Sequence, residues 1–195
     1  MPQISEQEFE RLPLRVHTFL AGVPLHDVWA IDLLRSRAGI TLDEFVRVAS
    51  GRIFAPSPVV RTLLNIRFFL GGLFGWDRTT PTATTTETFA DRLTPADRAR
   101  SLAPAGLKDG HFRVVYRFKN EQLMELINRT AHAAALSALV ETTSSYRFYF
   151  AVYVRSVGRF TPLYMALIDP VRKLVVYPSL LRSVRARWKQ TVGAG

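Results

Sequence analysis

The chain has 195 residues, of which 48% are hydrophobic and 22% are charged, a balance typical of a globular protein. This length allows one domain to bury a substantial core. We predict a single domain at 1–195, with a short extension at 1–24 and the core at 25–192. Cysteine is absent, which excludes disulfides, thiolate metal sites and thiol nucleophiles, and is compatible with a reducing compartment. The first residues are polar and lack the apolar run of a signal peptide, so we expect a cytoplasmic protein.

The formal net charge is +10, and many of the cations lie near the C-terminus. No acid separates the basic residues Arg172, Lys173, Arg182, Arg185, Arg187 and Lys189. This pattern favours the solvated face of an amphipathic helix, since cations suit a helix C-terminus. Weak contact with an anionic membrane surface is a second interpretation. We expect no contact with nucleic acid, because zinc-finger spacing, a glycine-rich phosphate loop and RNP-like aromatic motifs are absent.

Capping signals predict the first elements of the chain. Ser5 and Glu8 form a capping-box pattern, which predicts a short N-terminal helix. The stretch 26–34 predicts a strand, and a second capping box at 41–44 opens a helix. One face of the predicted strand carries Trp29, Ile31 and Leu33.

The middle of the chain is less regular. A helix is predicted after Pro58, ending at the glycines 71 and 72, whereas the threonine-rich segment 78–89 is compatible with a strand or a loop. Thr94 followed by Pro95 predicts an N-cap and a short helix.

Two stretches of the second half alternate with period two. The stretch 112–118 predicts a strand with one face made of Phe112, Val114, Tyr116 and Phe118. The stretch 146–155 predicts another, with one face made of Tyr146, Phe148, Phe150, Val152 and Val154. Arginines occupy several of the alternate positions, so we expect an antiparallel sheet with one face towards water. The stretch 121–140 predicts one long bent strand or two shorter ones.

From Thr161 onwards the hydrophobic spacing is helical. Asp169 before Pro170 predicts the N-cap of the long final helix, after a short helix or turn. Pro178 lies inside this helical pattern, where we expect it to produce a kink. The resulting order predicts an α+β fold, in which a curved antiparallel sheet wraps the long C-terminal helix around an apolar cavity.

This order resembles the helix-grip fold of the START-like, polyketide-cyclase-like (SRPBCC) superfamily. The similarity is carried by GRFTPLYMALIDPVRKLVVYPSLLRSVRARW at 158–188, supported by NEQLMELINRTAH at 120–132 and HDVWAIDL at 26–33. Within that superfamily the chain looks like an uncharacterised bacterial family. The resemblance implies the fold and a class of ligand, namely hydrophobic or amphipathic small molecules, and transfers no catalytic residue.

Asn128, Thr130 and His132 have the spacing of one strand face, on which Met124 and Leu136 would also lie. A few polar groups in an apolar row are what orient ligands in hydrophobic pockets. His132 is also the candidate catalytic acid or base. In the alternative interpretation, these side chains satisfy backbone groups of the sheet or face solvent.

Further ligand contacts are predicted from inward aromatic and apolar positions. The hydroxyls of Tyr116 and Tyr146 are candidates for hydrogen bonds to a ligand, or else to backbone groups in the core. The remaining predicted lining residues are Phe148, Phe150 and Leu167. By contrast, Glu121 and Glu125 are predicted to form surface pairs with Arg129.

These patterns predict the binding of a lipid-like or polyketide-like small molecule in an internal cavity. One alternative is an enzyme that uses the cavity for cyclisation, isomerisation or dehydration, with His132 as acid/base. A second alternative is a peripheral membrane protein that docks through the basic helix and the glycine-aromatic block at 68–76. We expect no cofactor and no metal, because the histidines lack the spacing of ligand pairs.

Overall fold

The computed structural model describes residues 3–35, 37–49, 87–127, 132–158 and 160–192. The helix predicted after Pro58, the block at 68–76 and most of the segment 78–89 lie outside these ranges. The chain forms two compact units. The first comprises 1–45, 87–126 and 133–155, and the second comprises 46–86, 127–132 and 156–195.

The described helices and strands, in chain order, have the following bounds. The first half contains α1 (Glu6–Glu10), α2 (Arg15–Phe19), β1 (Leu25–Leu34), α3 (Leu42–Ala49), a 3₁₀ helix (Phe89–Arg92) and α4 (Pro95–Arg100). The second half contains β2 (Lys108–Asp109), β3 (Phe112–Arg117), β4 (Glu121–Ile127), β5 (His132–Glu141), β6 (Ser145–Arg155), α5 (Phe160–Val171), a π-helical segment (Arg172–Val176) and α6 (Tyr177–Val192).

The predicted helix starts are confirmed where a local side chain makes the cap. The Ser5 hydroxyl accepts a hydrogen bond from the Glu8 amide at the start of α1, and the Thr41 hydroxyl accepts one from the Glu44 amide at α3. At α4, Thr94 and Asp97 complete a reciprocal capping box before Pro95. Such caps satisfy amides that the first helical turn leaves without intrahelical acceptors.

The strands form one sheet in the order β1-β6-β5-β4-β3-β2, and it is antiparallel. The stretch 121–140 forms two strands, β4 and β5, which are neighbours in the sheet. Gly110 has a φ of 63° in the tight connection between β2 and β3, a conformation that favours glycine.

An irregularity in β3 changes which side chains share a face. Val114 is opposite Met124, whereas Tyr116 is opposite Leu123, so the register shifts between Val114 and Tyr116. A bulge of this kind adds a residue to one strand and reverses the alternation beyond it. The prediction that Val114 and Tyr116 share a face is therefore wrong.

Helices α1 and α2 pack on what we call the first face of the sheet. Phe9 of α1 lies 6.1 Å from the ring of Tyr149, and Phe19 of α2 lies 5.3 Å from that of Tyr116. The first-face residues in this core include Val28, Ala30, Tyr116, Leu123, Ala134, Leu136, Ala138, Tyr149, Ala151 and Tyr153. The expectation that one side of the sheet is wet is wrong, because the residues of β6 from Tyr146 to Val154 are buried on both faces, apart from the half-buried Arg147.

In the second unit, the chain is helical from Phe160 to Val192. Asp169 lies inside this run and therefore does not cap a second helix; its carboxylate pairs with Arg172 and Lys173, one turn later, at 2.9 and 3.4 Å. The π-helical segment directly precedes α6, where Pro178 has no N–H to donate to the preceding turn. The widened turn thus accommodates the proline within a continuous helix.

The predicted α+β class is confirmed. A curved six-stranded antiparallel sheet and a long C-terminal helix are both present, which is consistent with a helix-grip fold. In the described part of the chain, no helix combines the length and the apolarity needed to cross a membrane.

Candidate functional site

The second face of the sheet, opposite the first, is lined by aromatic and aliphatic side chains. The register of β1 and β6 places Trp29 beside Phe150, Ile31 beside Phe148 and Leu33 beside Tyr146. All six side chains are buried. Phe45 of α3 packs on this face, with its ring 5.1 Å from that of Phe148.

One hydroxyl on the second face has no hydrogen-bond partner in the described structure. Ser137 alternates with the first-face residues Leu136 and Ala138 along β5, and β5 adjoins β6 in the sheet. Its side chain is 1% exposed, and its Oγ atom makes no hydrogen bond. A buried hydroxyl without a hydrogen bond lowers the stability of the fold, and a hydrogen bond from a ligand would remove this penalty.

Beneath α2, the first face carries a polar cluster that sequence reasoning missed. The Glu121 Oε1 atom accepts a hydrogen bond of 2.8 Å from the Arg15 amide, at the start of α2. The Arg15 guanidinium in turn donates two hydrogen bonds to Asp97 of α4, at 3.0 and 2.9 Å. Glu121 thereby supplies the cap that Leu14, the residue before α2, does not provide.

Glu125, four residues after Glu121 in β4, also caps a helix. Glu125 is 3% exposed, and its Oε2 atom accepts a hydrogen bond of 2.9 Å from the Phe89 amide at the start of the 3₁₀ helix. Glu121 is 2% exposed. The predicted surface pairing of the two glutamates is therefore wrong, because both are buried caps. Arg129 lies outside the described residues.

Burial and hydrogen bonding shift the pKa values of this cluster in opposite directions. Burial raises the pKa of Glu121 to about 7, against the opposing hydrogen bonds of the α2 amides. Burial also raises the pKa of the Tyr116 hydroxyl well above its usual value, and the neighbouring Glu121 adds to this effect. The hydrogen bond from Arg15 lowers the pKa of Asp97 to about 2. In the described structure, Glu121 Oε2 and Tyr116 Oη have no hydrogen-bond partner.

The family model described as "protein of unknown function (DUF2867)" matches residues 19–179. The chain belongs to the DUF2867 family. The searches of curated proteins and of solved structures each give no significant match. The DUF2867 match includes the whole sheet and ends inside α6, so Glu121 and Asp97 lie within it and Arg15 lies outside it.

Within the DUF2867 region, the structure brings three of the predicted ligand contacts together. Tyr146, Phe148 and Phe150 are buried on the second face. The Tyr146 hydroxyl is engaged by the backbone, since it donates to the Arg37 carbonyl at 2.8 Å and accepts from the Ile40 amide at 3.0 Å. The Tyr146 hydroxyl thus bonds to backbone groups in the core, which is the alternative to a hydrogen bond with a ligand.

The other predicted contacts lie elsewhere. Tyr116 lies on the first face, where its ring stacks on Phe118 with centroids 4.4 Å apart. His132 is the first residue of β5, is fully buried, and shares the strand alternation of Ala134 and Leu136 on the first face. Asn128 and Thr130 lie outside the described residues. Leu167 lies in α5, and its side chain is outside the described part of the structure.

One sequence signal could have identified the buried glutamates. Glu121, Leu123 and Glu125 alternate along β4, so an apolar first-face residue lies between the two acids. α2 also begins after Leu14, without a serine, threonine, aspartate or asparagine at its N-cap. The first amides of a helix without a local cap bond to water or to an acceptor elsewhere in the chain, and a carboxylate on a neighbouring strand is a suitable acceptor.

Proposed function

We propose that this DUF2867 protein binds a hydrophobic or amphipathic small molecule against the second face of its sheet, in the manner of START-like, polyketide-cyclase-like proteins. The observation that carries the proposal is the pairing of a buried aromatic row with one buried hydroxyl, that of Ser137, which has no hydrogen-bond partner among the described residues. Ligand pockets typically combine apolar walls with very few polar groups. The absence of cysteine is compatible with the cytoplasm as the compartment.

The two kinds of group would contribute differently to binding. Apolar contact with Trp29, Phe148 and Phe150 supplies affinity, at about 0.8 kcal/mol per buried methylene of the ligand. The Ser137 hydroxyl sets orientation, because a ligand carbonyl or hydroxyl that reaches it satisfies a group that otherwise costs about 1–3 kcal/mol. The favoured ligand is therefore mostly apolar and carries a hydrogen-bonding group at one end.

An enzyme that uses His132 on the same ligand is the weaker candidate. His132 shares the strand alternation of the first face, whereas Ser137 lies on the second. A general acid or base must come within hydrogen-bond reach of the atom it protonates or deprotonates. The strand alternation therefore favours a binding role over acid-base chemistry by this residue.

Native mass spectrometry of the purified protein tests the proposal, followed by organic extraction of whatever co-purifies. We expect a defined apolar species in stoichiometric amount, or saturable binding of a fluorescent fatty-acid analogue. Absence of both from a folded sample would refute the proposal. Conversion of the extracted compound by the wild type, lost in His132→Gln, would instead establish the enzyme.

Ser137→Ala tests the orienting role. It removes only the hydroxyl, so we expect an unchanged fold and binding of the fatty-acid analogue weakened about two- to tenfold, the worth of one net hydrogen bond. Ser144→Ala, at an exposed position in the connection between β5 and β6, is the matched control and should leave binding unchanged. Equal affinities of the two variants would remove Ser137 from the proposed site.

A further inference from the structure

The exposed side of α6 carries a row of cations. Arg182, Arg185 and Lys189 are exposed and occur at i, i+3 and i+7, which places them on one face of the helix. Among the α6 residues whose side chains are described, the buried ones are Tyr177, Leu180, Leu181, Val184 and Trp188. The helix is therefore amphipathic, with its apolar stripe buried and its basic stripe in solvent.

These cations are not neutralised by the described part of the chain. Asp169 is the single acid between Phe160 and Val192, and Arg172 and Lys173 already pair with it. Arg182 donates a hydrogen bond to the Pro178 carbonyl. Neither Arg185 nor Lys189 forms an ion pair with a described residue. The basic stripe is thus available to an anionic partner.

Two apolar side chains are exposed on the same continuous helix. Leu174, in the π-helical segment, is 75% exposed, and Val171 is 41% exposed. An exposed leucine of this degree between basic residues suits an interface in which cations contact charged headgroups while an apolar group enters the acyl boundary. Nucleic acid would engage the cations but offers no comparable place for an aliphatic side chain.

We infer that this exposed side, the basic stripe with Leu174, docks the protein on the surface of an anionic lipid bilayer. The surface lies parallel to the helix, and no part of the helix crosses the bilayer. The basic stripe lies beyond the DUF2867 match, which ends at residue 179. The basic stripe is therefore separate in sequence from the second-face ligand site, and Leu174 is not one of the residues of that site.

Vesicle flotation of the full chain tests the inference. We expect binding to vesicles of phosphatidylcholine with 30% phosphatidylserine, which falls steeply between about 50 and 300 mM salt, and little binding to phosphatidylcholine alone. The triple variant R182Q/R185Q/K189Q should lose most of the binding, at about fivefold per cation removed.

A matched control separates this surface from net charge alone. Arg11, Lys108 and Arg113 are exposed cations of the first unit, and R11Q/K108Q/R113Q lowers the net charge by the same amount. We expect this control to bind vesicles nearly as the wild type does. Equal losses in the two triple variants would overturn the inference, as would binding of duplex DNA tighter than binding of anionic vesicles.

The apolar contact has its own readout. Leu174→Trp adds a fluorophore on the docking surface to the three tryptophans of the chain, and we expect its emission, taken as the difference from the wild type, to shift to the blue on adding anionic vesicles. Leu174→Gln should weaken vesicle binding several-fold with circular dichroism unchanged. Absence of both effects would refute the contact of Leu174 with the acyl boundary. Failure of the second-face ligand proposal would leave all these results unaffected, since they use vesicles alone.

Discussion

Glu121→Gln is the sharpest test of the polar cluster beneath α2. Glu121 is buried, caps α2 through the Arg15 amide, and has its pKa raised from 4.5 to about 7. A pKa difference of this size between the folded and unfolded states corresponds to about 3 kcal/mol. Glutamine keeps the carbonyl acceptor for α2 and cannot ionise, so it imitates the protonated side chain at every pH.

The sign of the pH effect follows from the direction of this shift. Because the folded-state pKa is the higher one, the folded protein retains a proton between pH 4.5 and about 7 that the unfolded chain releases. The stabilising contribution of protonated Glu121 is therefore complete below pH 4.5 and is lost as the pH rises through about 7. We expect Glu121→Gln to match the wild type near pH 4.5 and to exceed its free energy of unfolding by up to about 3 kcal/mol at pH 8.

Urea unfolding at a series of pH values between 4.5 and 8 measures this difference. The charged and titratable groups around Glu121 are Arg15 of α2, Arg100 of α4, Tyr116 of β3 and Tyr153 of β6. Burial raises the pKa of both tyrosines, so neither gains a charge in this range. Parallel pH profiles for the wild type and Glu121→Gln would refute the reasoning that Glu121 carries this dependence.

Three further substitutions test the hydrogen bonding of the core by urea unfolding. Tyr116→Phe removes a buried hydroxyl that has no partner in the described structure, so we expect unchanged or higher stability, by up to about 1 kcal/mol; a loss above about 1 kcal/mol would contradict this. Tyr146→Phe removes two hydrogen bonds to backbone groups of the loop before α3, so we expect it to lower the free energy of unfolding by about 1–2 kcal/mol. An unchanged free energy of unfolding would show that these bonds do not stabilise the fold. Asp97→Asn weakens the pair with Arg15, whose side chain is 30% exposed, so we expect a loss of about 1–2 kcal/mol near neutral pH. Since the folded-state pKa of Asp97 is lowered from 3.8 to about 2, this loss should shrink as the pH falls below 3.8, and a loss that is constant down to about pH 2 would contradict the pairing.

The parts of the fold that sequence predicted are those encoded by neighbours in the chain. A capping side chain and the amide that donates a hydrogen bond to it are three residues apart, so Ser5, Thr41 and Thr94 mark their helices correctly. Alternation also identified β1, β3 and β6 to within one residue at each end. These signals are local, and no other part of the chain is needed to read them.

The errors arise where a distant segment decides the outcome. The sequence around Glu121 and Glu125 predicts surface residues. In the structure, amides of α2 and of the 3₁₀ helix, 106 and 36 residues away in sequence, donate hydrogen bonds to them. The face of Tyr116 depends on a bulge between β3 and β4, which no alternation pattern in β3 alone contains. Asp169 resembles an N-cap before Pro170, but the helix continues through both residues, since α5 extends from Phe160 to Val171.

The two faces of the sheet differ in how their buried polar groups are bonded. On the first face, the Glu121 and Glu125 carboxylates cap helices that pack over it. On the second face, the Ser137 hydroxyl makes no hydrogen bond in the described structure, and β6, the strand beside β5, carries Tyr146, Phe148 and Phe150 on that face. Substitutions at Glu121 should consequently change the pH dependence of stability while leaving ligand affinity intact, and Ser137→Ala should do the reverse. A single variant that changed both would show that the faces are coupled, and would place the ligand in contact with the helix caps rather than with the aromatic row.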